Sequence, residues 1–554
     1  MHSYMKSKLR VSAVSAAVAA ALGLVAGNAV AISQSGEAKN MIRVGHTDLQ
    51  GRPTYQPNVI KYPDGRTILF VGQHSGNPRP VAGYRFLPNP LNHNADENNG
   101  TMIIDVTDPR NPVEKALIPA PVAGNSVGQS QMTRMCLGSQ LPGGTPGKVY
   151  LLRNSQSGNL AISGYQIWDV TDVEHPVKTS EQMGLRSTHK VWWECSTGII
   201  YAPGSLSTPP LWKESQAMLV YDWHDVNNPP HFIRMFGLPG GEPGGTVTTS
   251  LHGAISAHDH PMAAQKLARA DDVIGNRIYA AWGVGDDGVI TIIDRKKLLP
   301  KEYGGTWVPA TADSATQPLE TELIGPNSPT VGYFTMSPDQ GGHTSMPVFG
   351  IKPPSYGKYN EFQTRDVVVV TSEATADGKD GRCNEAPHWA FTLDVTVENS
   401  MSVPPGTKVE RDPYQGPMVL GTMSVDPRSG EQSKRGNFCE RGARFGVHSV
   451  EENFNNPYYG KLTAIAYFNG GIRIWDIREP QAPREVAFYV PEADALTDPD
   501  GYMTNNVEID NRGYIYVVDR NGAGMDILEL NGCAKQIADN GQTCPDLGNN
   551  NAAR

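Results

Sequence analysis

The chain lacks most of the signatures that would assign a chemistry at sight. Its six cysteines contain no C-x-x-C pair, which excludes a thioredoxin-type dithiol and a zinc ribbon, and no C-x-x-C-H stands ready to attach haem. G-x-S-x-G, a Walker-type phosphate loop and H-E-x-x-H are absent too, so serine hydrolysis, nucleotide chemistry and zincin proteolysis have no motif to stand on. Charge is sparse, at 19% of residues, and acids outnumber bases for a net charge of −10. Such a balance disfavours nucleic acid as a partner, because neutralising phosphates needs a basic face. Beyond residue 31 no apolar run approaches the roughly 20 residues that cross a bilayer as a helix, so no integral membrane segment is expected in the mature chain.

What is plentiful is turn chemistry. The 554 residues include 58 glycines and 43 prolines, well above the usual combined share of roughly 12%. That argues for many short strands and few long helices. The N-terminus differs from the rest. Lys6, Lys8 and Arg10 precede an Ala-rich apolar run from Val11 to Gly27, followed by Ala29-Val30-Ala31. A basic start, a short apolar stretch and a small-x-small site predict a secretory signal peptide over residues 1–31 and a periplasmic or secreted product. Its removal takes three positive charges and no acids, leaving a mature net charge near −13. All six cysteines lie in the mature part, and an even count in an oxidising compartment suggests disulfides. Cys533–Cys544 reads as a clip in the tail, with Cys136–Cys195 and Cys383–Cys439 suggested by repeat position.

One phrase recurs along the chain: an alternating apolar strand ending in an acid, then a Pro-containing turn, then a second strand. Clear copies are Gly100-TMIIDVTDPRNP, Gly164-YQIWDVTDVEHP, Ala217-MLVYDWHDVNNPP and Gly471-IRIWDIREPQAP. Looser ones are Val289-ITIIDRKKLLP, Trp389-AFTLDVTVENSMSVP and Gly524-MDILEL. The acid falls at Asp105, Asp169, Asp222, Asp294, Asp394, Asp476 and Glu529. Two further strand-like runs precede each copy, as in Lys461-LTAIAYFNG and Tyr514-IYVVDRNG. Four short antiparallel strands per repeat, radially arranged, make a propeller blade. The last copy stops at Leu530 without an outer strand, while Met41-IRVGHTDL looks like an orphan outer strand. The expectation is an all-β fold: one seven-bladed β-propeller over residues 32–532, its N-terminal strand closing the last blade, and a C-terminal tail over 533–554.

The Ile-Ile-Asp-Val-Thr-Asp-Pro and Ile-Trp-Asp-Ile-Arg-Glu-Pro phrases resemble the LVIVD-repeat family of exported bacterial β-propellers, over most of residues 41–530. The shared motif belongs to the blade and carries no catalytic residue, so the resemblance implies fold and export but not chemistry.

Chemistry is sought where each chain segment steps into an innermost strand, because side chains there converge on the propeller axis. Those segments read Arg186-STHKVWWE, Ser250-LHGAISAHDHP, Gly341-GHTSMP and Phe445-GVHSVEEN, placing His189, His252, His343 and His448 at matching points of blades three to six. The other three, Gln56-PNVIKY, Gln129-SQMTRM and Thr504-NNVEID, carry polar residues but no histidine. An all-imidazole set suits copper, iron, nickel or zinc rather than calcium or magnesium. Glu194, Glu451 and Asp259 are near enough in sequence to orient ligand rings, and His258 and His260 are candidates for a further ligand. Polar residues also line propeller channels without any metal, satisfying buried backbone groups or water. Four axial histidines are similar in architecture to the iron site of carotenoid-cleaving oxygenases, and exported propellers with multi-copper histidine sites offer another parallel. Neither group's motif is present.

Other signals read as structural. His175, His224 and His231 belong to rim turns, His74 and Arg79 to a loop in blade one, and Met132, Met135 and Met346 to packing rather than soft ligation. Gly283-VGDDG reads as a hairpin turn in preference to a calcium loop. Long insertions before His343 and before His448 are suited to form a lid over the channel mouth. The expectation for function is therefore an exported copper- or iron-dependent oxidoreductase acting on a small molecule. His189, His252, His343 and His448 would hold the metal, with Glu194 and Glu451 orienting them. The alternative is a non-enzymatic binding or scaffold propeller, and a metal-free hydrolase or lyase with histidine bases is a third reading. Oligomeric state is left open.

Overall fold

A computed structural model describes residues 36–544, apart from 75–85, 209–210, 214, 264–273, 309–327, 354–363, 376–382, 384–387, 397–416, 431–435 and 493–500. The segment read as a signal peptide, Arg79 and residues 545–554 of the tail lie outside the described residues.

Seven antiparallel sheets follow one another along the chain. Blade one is Thr54–Lys61, Thr67–Gln73, Gly100–Asp105 and Val113–Pro119. Blade four is Leu251–Ser256, Arg277–Trp282, Val289–Asp294 and Thr330–Thr335, and blade five is Thr344–Ile351, Arg365–Thr371, Ala390–Asp394 and Met418–Met423. Each repeat phrase forms the third strand of its blade, and in blades one to six that strand ends at the marked acid. The acid then does what turn chemistry asks of it. Asp105 Oδ1 accepts from the Thr107 amide, Asp169 Oδ1 from Thr171 and Asp476 Oδ1 from Arg478. In blades one to six the ladder between third and fourth strands slips one or two residues before the acid, as at Ile167/Trp168 and Ile474/Trp475. A bulge at this repeated position increases the twist of the outer strand.

Blade seven consists of Thr504–Ile509, Ile515–Asp519 and Met525–Leu530, and its fourth strand is the N-terminal Met41–Thr47. The ring thus closes as the orphan strand suggested, leaving no open edge between first and last blades. The preceding Glu37–Lys39 pairs with Arg484–Val490 as an extra outer strand of blade six. The two strands meet at Asn40, whose side-chain amide donates to Val486 O at 2.7 Å. Apolar clusters fill the gaps between neighbouring blades. One joins blades seven and one through Val518, Ile527, Leu69 and Ile104. The tail helix Gly532–Asn540 packs Ala534, Ile537 and Ala538 against the cluster between blades six and seven.

The disulfides are Cys136–Cys195, Cys383–Cys439 and Cys533–Cys544. Among the described residues no helix is long and apolar enough to cross a membrane. The methionines at issue pack: Met346 and Met132 are buried, and Met135 lines the cluster between blades one and two. The Val289 strand follows its predecessor through the Gly283–Gly288 hairpin, as the Asp-Gly pair implied.

Candidate metal centre

The direction of the strands decides what reaches the axis. An innermost strand starts on one face of the ring and runs to the other, and the second strand returns. The hairpin between second and third strands therefore opens on the same face as the starts of the innermost strands. His252 lies on the inner strand of blade four, His343 immediately precedes that of blade five, and His189 and His448 hold the matching points of blades three and six. Blade six has no long inner strand; its inner segment pairs through His448 N to Ala466 O at 2.9 Å and Glu451 N to Ala464 O at 3.1 Å.

Glycine makes two of these approaches feasible. A Cβ at Gly342, next to His343, would stand 2.6 Å from Trp282 O, and one at Gly446 would stand 2.6 Å from Ala374 Cβ. Gly446 also has φ +130°, a region other residues avoid.

The four imidazoles form a row around the axis. Ring centroids are 4.6 Å apart for His189 and His252, 3.7 Å for His252 and His343, and 4.4 Å for His343 and His448. Tyr55, at the matching point of blade one, closes the row into a ring of five, 5.5 Å from His189 and 5.6 Å from His448. His252, His343 and His448 are essentially inaccessible to solvent. Burial, with Lys190, Arg444 and Arg520 nearby, holds His343 and His448 well below the usual imidazole range and pushes His189 down to about 3. All four rings are therefore neutral near pH 7, the state a metal ligand requires.

The outward nitrogens of His252, His343 and His448 are tied, whereas His189 Nδ1 has no hydrogen-bond partner. His448 Nδ1 lies 2.6 Å from Asn505 O and His252 Nδ1 2.5 Å from His343 O. His343 Nδ1 lies 3.1 Å from Thr344 Oγ1, which also accepts from Lys190 Nζ at 3.0 Å. A carbonyl can only accept, so Nδ1 carries the proton in His252 and His448, and the Nε2 lone pair is turned to the axis. His343 Nε2 and His448 Nε2 have no hydrogen-bond partner. Between them stands a carboxylate the sequence reading did not name: Glu373 Oε2 is 3.5 Å from His343 Nε2, and Oε1 is 3.7 Å from His448 Nε2. His343, Glu373 and His448 bring their donor atoms within 4.8 Å of one another. His189 Nε2 and His252 Nε2 face each other at 2.9 Å, with the Tyr55 hydroxyl 3.3 Å from His189 Nε2. The four histidines named from the sequence do gather at the axis, but their donor atoms divide into two groups. The donors form a trio of two histidines and one carboxylate, with a histidine pair beside it.

Glu373 comes from the hairpin after Arg365–Thr371, on the site's face. Its Oε1 accepts from Arg444 Nη1 at 2.9 Å, and Arg520 Nη1 stands 3.6 Å away. Ala374 N bonds Val447 O at 2.9 Å, and the Cys383–Cys439 disulfide joins the same hairpin to the segment leading into blade six.

The other named residues lie elsewhere. Glu194 is engaged by Arg295, Tyr201 and Thr197, and Glu451 by the Asn453 amide and Asn456, so neither carboxyl reaches one of the four axial rings. Both sit toward the far ends of their inner segments. At about 3.3 Å per residue, five residues carry Glu194 roughly 16 Å beyond His189, and three carry Glu451 roughly 10 Å beyond His448. The role of orienting ligand rings is corrected accordingly for both. His258 and His260 follow the end of the strand Leu251–Ser256, so strand alternation does not extend to them. His258 Nδ1 contacts Gly275 O, and His260 packs among Phe349, Phe454 and Tyr459. Neither joins the axial cluster, which corrects their assignment as ligands. Asp259 holds Ser196. His175 and His224 sit beside rim aspartates, as expected of turn residues.

A seven-bladed β-propeller with a buried His343–Glu373–His448 group able to hold a metal ion is what this fold and donor set describe. No known family profile and no curated protein matches the chain, so the LVIVD resemblance stands on the repeat phrases alone. Solved structures that it is similar to are propellers. Sqt1 from Chaetomium thermophilum, solved bound to the N-terminus of the ribosomal protein L10, has 9% identity and a TM-score of 0.44, covering 88% of this chain and 99% of that one. The β-propeller domain of Cps50 (Swd1) from Myceliophteria thermophila has 11% identity and a TM-score of 0.39, covering 88% and 98%. The likeness is one of fold alone.

Proposed function

We propose that the mature protein is an exported, metal-dependent oxidoreductase that acts on a small molecule at the propeller axis, with His343, His448 and Glu373 as the metal ligands. His252 and His189 stand next to this trio, their Nε2 atoms paired with each other at 2.9 Å. The observation that carries the reading is the pair of buried, unpartnered Nε2 atoms of His343 and His448 flanking the Glu373 carboxylate. Leaving a buried polar atom unsatisfied costs about 1–3 kcal/mol, and a scaffold that only presented its outer faces would gain nothing from that arrangement. Of the two metals expected, two imidazoles and one carboxylate favour iron, the donor set of non-haem iron oxygenases. Such an ion supplies open coordination positions for dioxygen and substrate and takes part in electron transfer. The chain's own groups hold the donors in place: Arg444 grips Glu373, Asn505 O sets the His448 tautomer, and Thr344 supports His343.

Metal analysis of the purified mature protein tests the reading. One equivalent of iron or copper per chain is expected, falling to background in His343→Ala, His448→Ala and Glu373→Ala. Wild-type protein that stays metal-free after refolding with either metal would overturn it.

A further inference from the structure

The charges around the five-membered ring of side chains do not balance. Glu373 faces Arg444 and Arg520, and Glu452 is paired with Lys190 and Arg134. Among the described residues, the cations Lys190, Arg444 and Arg520 and the carboxylates Glu373 and Glu452 act on this ring of side chains, so three cations oppose two carboxylates while the four imidazoles are neutral. A divalent metal held by His343, Glu373 and His448 would raise the positive excess further. Burying uncompensated charge is expensive, so a site of this kind is completed by an anion.

Arg520 is the group placed to receive it. It sits at the turn between Ile515–Asp519 and Met525–Leu530, on the face where the innermost strands start, and its side chain keeps 18% of its exposure while its ion-pair partner Glu373 keeps 8%. Its guanidinium donates one hydrogen bond, from Nη2 to His74 Nε2 at 3.0 Å, and lies 6.0 Å from the Tyr55 ring. Glu373 is held directly by Arg444 at 2.9 Å, against 3.6 Å for Arg520. Most of the five N–H donors of Arg520 are therefore available, in the planar fork that matches a carboxylate.

We infer that the substrate is a small carboxylate anion, bound by the Arg520 guanidinium at the mouth of the channel so that its reactive end is directed at the His343–Glu373–His448 trio. This assignment rests on the metal reading for the meaning of the trio, but the anion site itself does not require the metal. Arg520 then sets specificity: a planar, bidentate partner selects carboxylates over neutral isosteres.

Calorimetric titration with propionate tests the assignment, with propionamide and nitrate as comparison probes, on metal-free and on iron-loaded protein. Propionate is expected to bind one per chain to both forms, propionamide to neither, and nitrate at least tenfold more weakly. Arg520→Gln is expected to weaken propionate at least tenfold, and Arg520→Lys less, while both variants retain the wild-type iron stoichiometry and far-ultraviolet circular dichroism. Equal propionate affinity in wild type and Arg520→Gln, no propionate binding to wild type, or nitrate bound as tightly as propionate would each overturn the inference and leave the metal site untouched. Failure to load iron with propionate binding intact would instead overturn the metal reading alone.

Discussion

Replacing Glu373 by glutamine should destabilise the metal-free and the metal-loaded protein by different amounts, and the two can be read in one assay. Without metal, Glu373 neutralises Arg444 through a 2.9 Å contact in which both side chains are 8% exposed. Removing one member of a buried pair costs about 3–5 kcal/mol. Glutamine keeps an acceptor for Arg444 Nη1, which returns about 1–1.5 kcal/mol. Glu373→Gln should therefore lose about 2–4 kcal/mol of unfolding free energy in chelator. With metal at a hundred times its dissociation constant, wild type gains about 2.7 kcal/mol by mass action, and the variant gains nothing because its anionic ligand is gone. The gap between the proteins thus widens on adding metal, to about 5–7 kcal/mol. Equilibrium urea unfolding in chelator and in excess iron measures both differences. A variant that gains the same metal-dependent stabilisation as wild type would refute Glu373 as a ligand, and a variant equal to wild type in chelator would refute its part in balancing Arg444.

Three further outcomes are expected. Burial pushes the Glu451 carboxyl up from 4.5 to about 8, so the folded state holds its proton more tightly than the unfolded chain. The resulting stability is complete below pH 4.5 and is lost as pH rises to 8, by up to about 1.4 kcal/mol per unit. Glu451→Gln should flatten that decline without changing metal content, and parallel stability profiles for the two proteins would sink the reasoning. Thr344→Val removes the hydroxyl partner of His343 Nδ1 and should weaken metal about 10–100-fold, with Thr344→Ser restoring it; an unchanged affinity in the valine variant would exclude the support role. Deleting residues 36–47 removes the outer strand of blade seven and the extra strand of blade six, and should convert a discrete species on size exclusion into aggregates through the exposed edges. A truncated chain with the wild-type elution volume and unfolding midpoint would contradict closure by these strands.

The blades were legible because their information is local and repeated. Asp105, Asp169, Asp222, Asp294, Asp394 and Asp476 each end a strand of alternating apolar residues, so one physical pattern stated six times marks the third strand of six blades. Closure was legible for a complementary reason: a blade short of a strand after Leu530 and a spare strand at Met41 imply each other. The strand Glu37–Lys39 was not, because its three residues pair only with the edge of Arg484–Val490 and carry no alternation of their own. Cys136 and Cys195 lie at matching ends of the inner segments of blades two and three and are brought side by side by the ring, whereas Cys383–Cys439 joins the hairpin after the second strand of blade five to the segment leading into blade six.

The axial site was half legible, and the missing half has a single geometric cause. Histidines at the starts of inner strands share a repeat position, so His189, His252, His343 and His448 can be aligned by eye. Proximity in sequence then misdirected the choice of acidic partners. A strand carries its residues away from its start, and Glu194 and Glu451 leave the histidines within a few residues. What comes back to the same face is the hairpin after the second strand, and it brings His74 in blade one, Glu373 in blade five and Arg520 in blade seven. Glu373 follows His343 by thirty positions and Arg520 follows His448 by seventy-two, yet both lie one antiparallel return from the axis. In a propeller the partners of an axial ligand are therefore to be sought across a hairpin, at the turn between second and third strands. A carboxylate or guanidinium at that turn in a histidine-bearing blade, or in its neighbour, is the signal that would have named this site in advance.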